Sequence, residues 1–277
     1  MSWRLRGVAN RRAALAGALL LAASGLLAVL GPTLAGPRAG QMFEPMLSPS
    51  RQHLLGTDDI GQDILSELLQ GARASLFVAG VSAVLSTAGG VLVGLISGYY
   101  PRLGFALMRV VDAFLCVPRF PLIILMAAFL RPGPGALVLF FVLFGWAGAA
   151  RLLRSQVLTE RNAAYVEAAR AVGARDRRIL LRHILPATVP IAVVRLILEF
   201  QHVLLAESGL SFLGLGDPTL KSWGTMLYHA SQSPVVFISG VWLWWVVPPG
   251  GSITLVVLGL ALLGLGLDAW SDPRRSG

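Results

Sequence analysis

Three side chains at helical spacing carry the most chemistry in this sequence: Arg195, Glu199 and His202. At 100° per residue they fall within about 60° of one another, so a helix through them bears a single polar stripe. Imidazole and carboxylate together are acceptable ligands for nickel or zinc, but two ligands from one helix do not complete a site, and none is assigned. An Arg–Glu pair at i,i+4 suits either packing or the lining of a polar pathway. On the second reading Glu199 and His202, with Asp112, are the candidate lining of a translocation path. Arg109 and Asp112, three residues apart, are expected to pair on one helix face. The four histidines (53, 183, 202 and 229) are scattered, and the single cysteine, Cys116, sits in an apolar stretch. Such scatter does not make the acid–base or metal constellation an enzyme needs. The chain is therefore read as non-catalytic, with no cofactor of its own.

The elements that must hold these charges are strongly apolar. Of 277 residues, 55% are hydrophobic and 13% charged, with mean hydropathy +0.71, whereas a soluble domain has about 25% charged residues. Residues 13–30, 74–101 and 132–150 contain no charged side chain, and about 20 apolar residues cross a bilayer as a helix. This composition excludes a disordered chain, a nucleic-acid-binding domain and a disulfide scaffold. It implies an all-α membrane protein with six transmembrane helices, at about 13–31, 75–99, 104–130, 134–151, 187–208 and 249–267. The first is read as a retained helix, because its uncharged core is long for a secretory signal. Residues 1–74 form an amino-terminal helix with an outer loop, and 75–277 a five-helix core.

Charge sets the expected orientation. Fifteen basic residues lie in the first, third, fifth and last extramembrane segments, against five (Arg38, Arg51, Arg73, Arg131 and Lys221) in the alternate ones. Basic residues collect on the cytoplasmic side, so both termini are expected there. A charge at the bilayer centre costs at least ~2.5–3.5 kcal/mol, which makes Arg109, Asp112, Arg195, Glu199 and His202 worth explaining. Glu207, off the stripe, is expected at the membrane interface. Pro118-Arg119-Phe120-Pro121 should break the third span. Gly89, Gly90, Gly94 and Gly98 suggest close helix packing. Residues 235–247, with Trp242, Trp244 and Trp245, are read as an interfacial or re-entrant stretch ended by Pro248-Pro249-Gly250. Outside, the acidic face of Asp58, Asp59, Asp63 and Glu67, or the glycine-punctuated segment 209–227, could receive a partner.

The cytoplasmic loop 152–186 is the most informative segment. Asn162 can cap a helix over 163–172 and Gly173 can end it in the left-handed conformation. A second short helix, 175–185, is expected to stop at Pro186. Ala164, Ala168 and Ala171 share one face, small enough to enter a partner's groove.

Here the chain resembles a family. Tyr165-Val166-Glu167-Ala168-Ala169, then Gly173, then His183-Ile184-Leu185-Pro186 is similar to the EAA loop of ABC-importer permeases. Leu55-Gly56-Thr57-Asp58-Asp59-Ile60-Gly61-Gln62-Asp63, Gly209–Gly216 with Ser222-Trp223-Gly224, Arg109-x2-Asp112-x5-Pro118 and Asp272-Pro273-Arg274 narrow the likeness to the C-type permease of the dipeptide, oligopeptide and nickel importers. Gln62, Leu265 and Asp268 depart from the family pattern. The resemblance implies a type I importer bundle in the bacterial inner membrane, with Tyr165, Glu167, Ala168, Ala169, Gly173, Leu185 and Pro186 contacting an ATPase. It further implies a second permease as heterodimer partner, two ATPase subunits that bind the ATP, and an external solute-binding protein. Peptides are the expected cargo and a nickel chelate the alternative. A secondary transporter, a third reading, would need coupling charges in several spans and inverted repeats.

Overall fold

The computed structural model describes residues 2–36, 40–130, 132–217, 220–236 and 240–271, which fold into α-helices without strands. Asp272-Pro273-Arg274 and the side chain of Asp268 lie outside the described residues. In chain order the helices are α1 (Ser2–Ala35), α2 (Ile64–Tyr99), α3 (Pro101–Cys116), α4 (Arg119–Leu130), α5 (Pro134–Arg161), α6 (Ala164–Ala171), α7 (Asp176–Ile179), α8 (Leu185–Phe212), α9 (Trp223–Gln232), α10 (Trp242–Trp245) and α11 (Val247–Ser271). Among the described residues five helical stretches are long and apolar enough to cross a membrane, and the α3–α4 pair, bent by 70°, makes six when counted as one broken span. The described residues thus form an all-α bundle with the span lengths of a multi-pass membrane protein.

The α2–α5 seam organises the bundle. A Cβ on Gly90 would sit 2.4 Å from Ala149 Cβ, one on Gly94 2.6 Å from Leu153 Cβ, and one on Gly98 2.6 Å from Val157 Cγ1. Three glycines four residues apart thus let three residues of α5, also four apart, pack against bare backbone. Gly89 lies off this seam, with 3.7 Å to Trp146. A second close approach, not anticipated, joins α1 to α11: a Cβ on Gly17 would meet the Gly259 carbonyl at 2.4 Å.

Several expected boundaries move, each for a local reason. The second span starts at Ile64, because Asp63 caps α2 by accepting from the Ser66 N–H at 2.9 Å. Helix α5 continues ten residues past 151 to Arg161, where Asn162 serves as its carboxyl-terminal cap rather than as the amino-terminal cap of α6; that position is Ala163. The helix expected to stop at Pro186 instead runs through it. A π-helical turn at Leu180–Ile184, in which the Leu185 N–H reaches the Leu180 carbonyl, joins α7 to α8. This shift places Pro186 in the first turn of α8, where a missing N–H removes no bond. Pro248-Pro249-Gly250 likewise falls in the first turn of α11 instead of interrupting a span, and the last apolar stretch runs Trp242–Leu267. Trp245 is fully buried in the main core, while Trp242 is exposed.

Candidate functional site

The expected loop folds as a helical elbow on its own apolar core. Helix α6 ends in a paired cap: the Gly173 N–H donates to the Arg170 carbonyl at 2.9 Å and the Ala174 N–H to the Ala169 carbonyl at 3.0 Å. This Schellman arrangement requires a left-handed residue, and Gly173 takes φ +80° with open space around it. Val166, Ile179 and Ile184 are wholly buried with Leu95, Tyr99 and Val157, in a core separate from that of the membrane bundle. The carboxyl-terminal ends of α2 and α5 therefore hold the elbow. Tyr99 adds a hydrogen bond to Asp176 at 2.5 Å, and its ring lies under the Arg161 and Arg170 guanidiniums at 5.9 and 5.7 Å.

What that core leaves outward matters most. Tyr165, Glu167, Ala168, Ala171 and Val172 are exposed, Val172 at 85%. Ala169 and Leu185 are half-buried against the elbow's core, and Pro186 is exposed. Tyr165 donates to Glu160; desolvation and that carboxylate push its phenol up to about 12, so it is a neutral donor at physiological pH.

Inside the bundle the structure puts His202 on an open cleft, Glu199 buried behind the two arginines that line it, and Asp112 elsewhere. Glu199, 1% exposed, accepts from Arg195 Nη2 at 2.9 Å on Oε2 and from Arg119 Nη1 at 2.8 Å on Oε1. The first bond is the expected helical pair. The second was not foreseen, because Arg119 is remote in sequence and reaches α8 only after the 70° break after α3. A clue was available: a stripe with one carboxylate, beside a proline-broken span carrying an arginine. The carboxylate also rests on α5, where a Cβ at Gly145 would come 2.7 Å from Glu199 Oε1. Both of its oxygens being engaged by guanidiniums, it is poorly placed to ligate a metal ion. An open cleft of about 420 Å³ lies alongside, lined by residues that include Arg119, Phe120, Phe141, Arg195 and His202; His202 is exposed.

Asp112 pairs with Arg151 of α5, not with Arg109, whose guanidinium instead lies 4.9 Å from the Phe105 ring. The helix α5 backbone brings Arg151 opposite Asp112, and Arg109 turns back one helical turn toward Phe105. Glu207, off the stripe as expected, is buried in the protein. It is 3% exposed and accepts from Ser75 at 3.1 Å and Ser211 at 2.9 Å.

The outer acidic face turns inward. Asp63 binds His53 at 2.9 Å, Glu67 binds Lys221, and Asp58 Oδ1 accepts the Ile60 and Gln62 N–H groups at 3.1 and 2.6 Å. Of the four, only Asp59 is exposed. Gly56 and Gly61, both at positive φ, let the loop close on the Leu47 and Phe43 carbonyls. The segment 209–227 is also largely internal: Trp223 and Met226 are buried, and Trp223 Nε1 donates to the Leu68 carbonyl at 3.1 Å. Both segments lock the outer end of α2 in place.

The all-α bundle is the architecture that the resemblance implied. Residues 90–277 match the model of a family described as "Binding-protein-dependent transport system inner membrane component". The chain belongs to this family. It is 34% identical over 273 residues to the dipeptide transport system permease protein DppC of Bacillus subtilis, covering 97% of this chain and 84% of that protein. A putative peptide transport system permease protein of Brucella suis is 36% identical over 273 residues, covering 97% and 90%. A putative peptide permease protein of the same species is 38% identical over 229 residues, covering 82% and 75%. This inner membrane component is thus a permease subunit of a binding-protein-dependent transport system.

Proposed function

We propose that the chain is one permease of an ATP-driven importer of short peptides, and that its elbow receives the ATPase stroke. The observation that carries the proposal is the outward face of α6: Tyr165, Glu167 and Ala168 are exposed on a helix whose opposite side is anchored to α2 and α5 by its own core. A lever needs both properties, a free contact and a stiff link to the spans. Closure of two ATPases beneath the elbow would tilt α5 and α8 together and switch the pathway from inward to outward access. A second permease would complete that pathway, and an external binding protein would deliver cargo. ATP would be held by the ATPases, with no cofactor in this chain. The arginine bias supports cytoplasmic termini. His202 fits a path lining, with Glu199 as the buried anchor of the arginines beside it; Asp112, in its separate pair with Arg151, fits a role at the edge of the bundle.

Peptide cargo is favoured over a nickel chelate, because the relatives named above are peptide permeases and Glu199 is committed to two arginines. Uptake of labelled dipeptide by cells with and without the two ATPase genes tests the reading. Loss of uptake in the deletion strain is expected. Persistence would point to gradient coupling and contradict the proposal.

A further inference from the structure

The cleft beside Glu199 carries an unbalanced charge. Two guanidiniums, Arg119 and Arg195, share one carboxylate, and the cleft's other lining residues, His202 apart, are apolar. With His202 neutral, one net positive charge remains near the midpoint of α8. In an apolar surrounding such a charge calls for an anion. The donors for one are present. A guanidinium offers five N–H groups, and among the described residues each of these two spends one on Glu199. Arg119 and Arg195 keep 29% and 17% of their side-chain surface exposed, against 1% for Glu199. Glu199 is thus the buried anchor, and the unspent donors belong to the open side. Arg119 also opens α4, whose amino-terminal dipole end adds positive potential at the same point. The cleft, at about 420 Å³, has room for a terminal residue of a short peptide.

We propose that this cleft is an anion subsite that receives the C-terminal carboxylate of a peptide in transit, on the donors of Arg119 and Arg195 that Glu199 leaves free. The inference rests on the peptide reading above. Glu199 holds the two guanidiniums in place, so the site presents a fixed fork without the cost of ordering flexible side chains. One net charge, shared with a resident carboxylate, binds a passing carboxylate weakly enough for release. Phe120, Phe141 and Leu205 supply an apolar wall that tolerates varied side chains.

The test compares uptake of a free-acid dipeptide with that of its C-terminal amide, in proteoliposomes holding the complete complex and its binding protein. The ratio of variant to wild-type rate is taken for each peptide, so any preference of the binding protein cancels. Arg119→Gln leaves the Arg195–Glu199 pair intact and neutralises the excess charge. It is expected to lower free-acid uptake roughly 10-fold relative to the amide, in keeping with loss of a charge-assisted hydrogen bond; Arg119→Lys should retain much of the discrimination. Equal loss for both peptides would make Arg119 a structural clamp and overturn the proposal, as would no change for either. Loss of the second permease from purified Arg119→Gln complexes would assign the charge to that subunit and also overturn it. If the wild-type complex takes up neither peptide, the peptide reading itself fails.

Discussion

At Glu199 one carboxylate answers guanidiniums from two different helices, so truncating it strands two cations in an apolar bundle. Removing one partner of a buried ion pair typically costs about 3–5 kcal/mol. Glu199→Ala should therefore lower thermal stability in detergent sharply, whereas Glu199→Gln, which keeps the packing against Gly145 and one acceptor, should cost less. Fluorescence-detected size-exclusion after heating measures both; equal stability of Glu199→Ala and wild type would remove the clamp from the account. Asp58 supplies a pH-dependent counterpart in the outer loop. Burial pushes its carboxyl from 3.8 up to about 6, so the folded loop holds the proton more tightly than the unfolded chain. Its contribution is fully present below about pH 4 and is lost as pH rises through 6. Thermal stability in detergent should accordingly fall between pH 5 and 7. Asp58→Asn, whose Oδ1 can accept the same two N–H groups, should flatten that dependence. The polar stripe on α8 was legible from periodicity alone. Its second partner, Arg119, was not, because local spacing does not reveal which side chains a sharp bend brings together.

At the scale of elements, the glycines of α2 and the small residues of α5 form the contact from which both the cleft and the elbow are hung. Gly94→Leu would drive a branched side chain into Leu153 Cβ, 2.6 Å from even a methyl carbon at that position. Overpacking of this kind costs about 1–3 kcal/mol or more. Because α5 carries the elbow, the variant should lose transport along with stability; Gly89→Ala, with 3.7 Å of clearance, should lose neither. Thermal shift and uptake on the same preparations check the contrast. Spans were readable as uncharged runs, but their extensions beyond those runs were not. Leu152–Arg161 is rich in polar and charged residues and so ends an apolar run without ending a helix. Pro186 misled in the same way: proline reads as a stop, yet a π turn just before it places it where an α-helix tolerates it. The acidic residues of 58–67 looked solvated in sequence because charge alone does not show that His53, Lys221 and backbone amides wait for them.

For the whole molecule, two of the three apolar cores among the described residues divide the labour. The larger one fixes the spans and the outer loop, and the smaller one fixes the elbow to two spans while leaving α6 outward. The family, the bundle and the position of the elbow were legible because the loop motif is long and its glycine has a geometric duty. The cargo was not, since no residue of the loop meets it. The central claim is that α6 touches a motor subunit from the cytoplasm. Its most direct test is a cysteine at Ala168, introduced after replacing the single native Cys116, which is exposed. In membranes containing the assembled transporter, Ala168→Cys should crosslink to a cysteine in the ATPase groove, with a yield that changes on adding ATP. It should react with a membrane-impermeant maleimide only in inverted vesicles. Labelling from the outside, or no crosslink to an ATPase in any nucleotide state, would contradict the account.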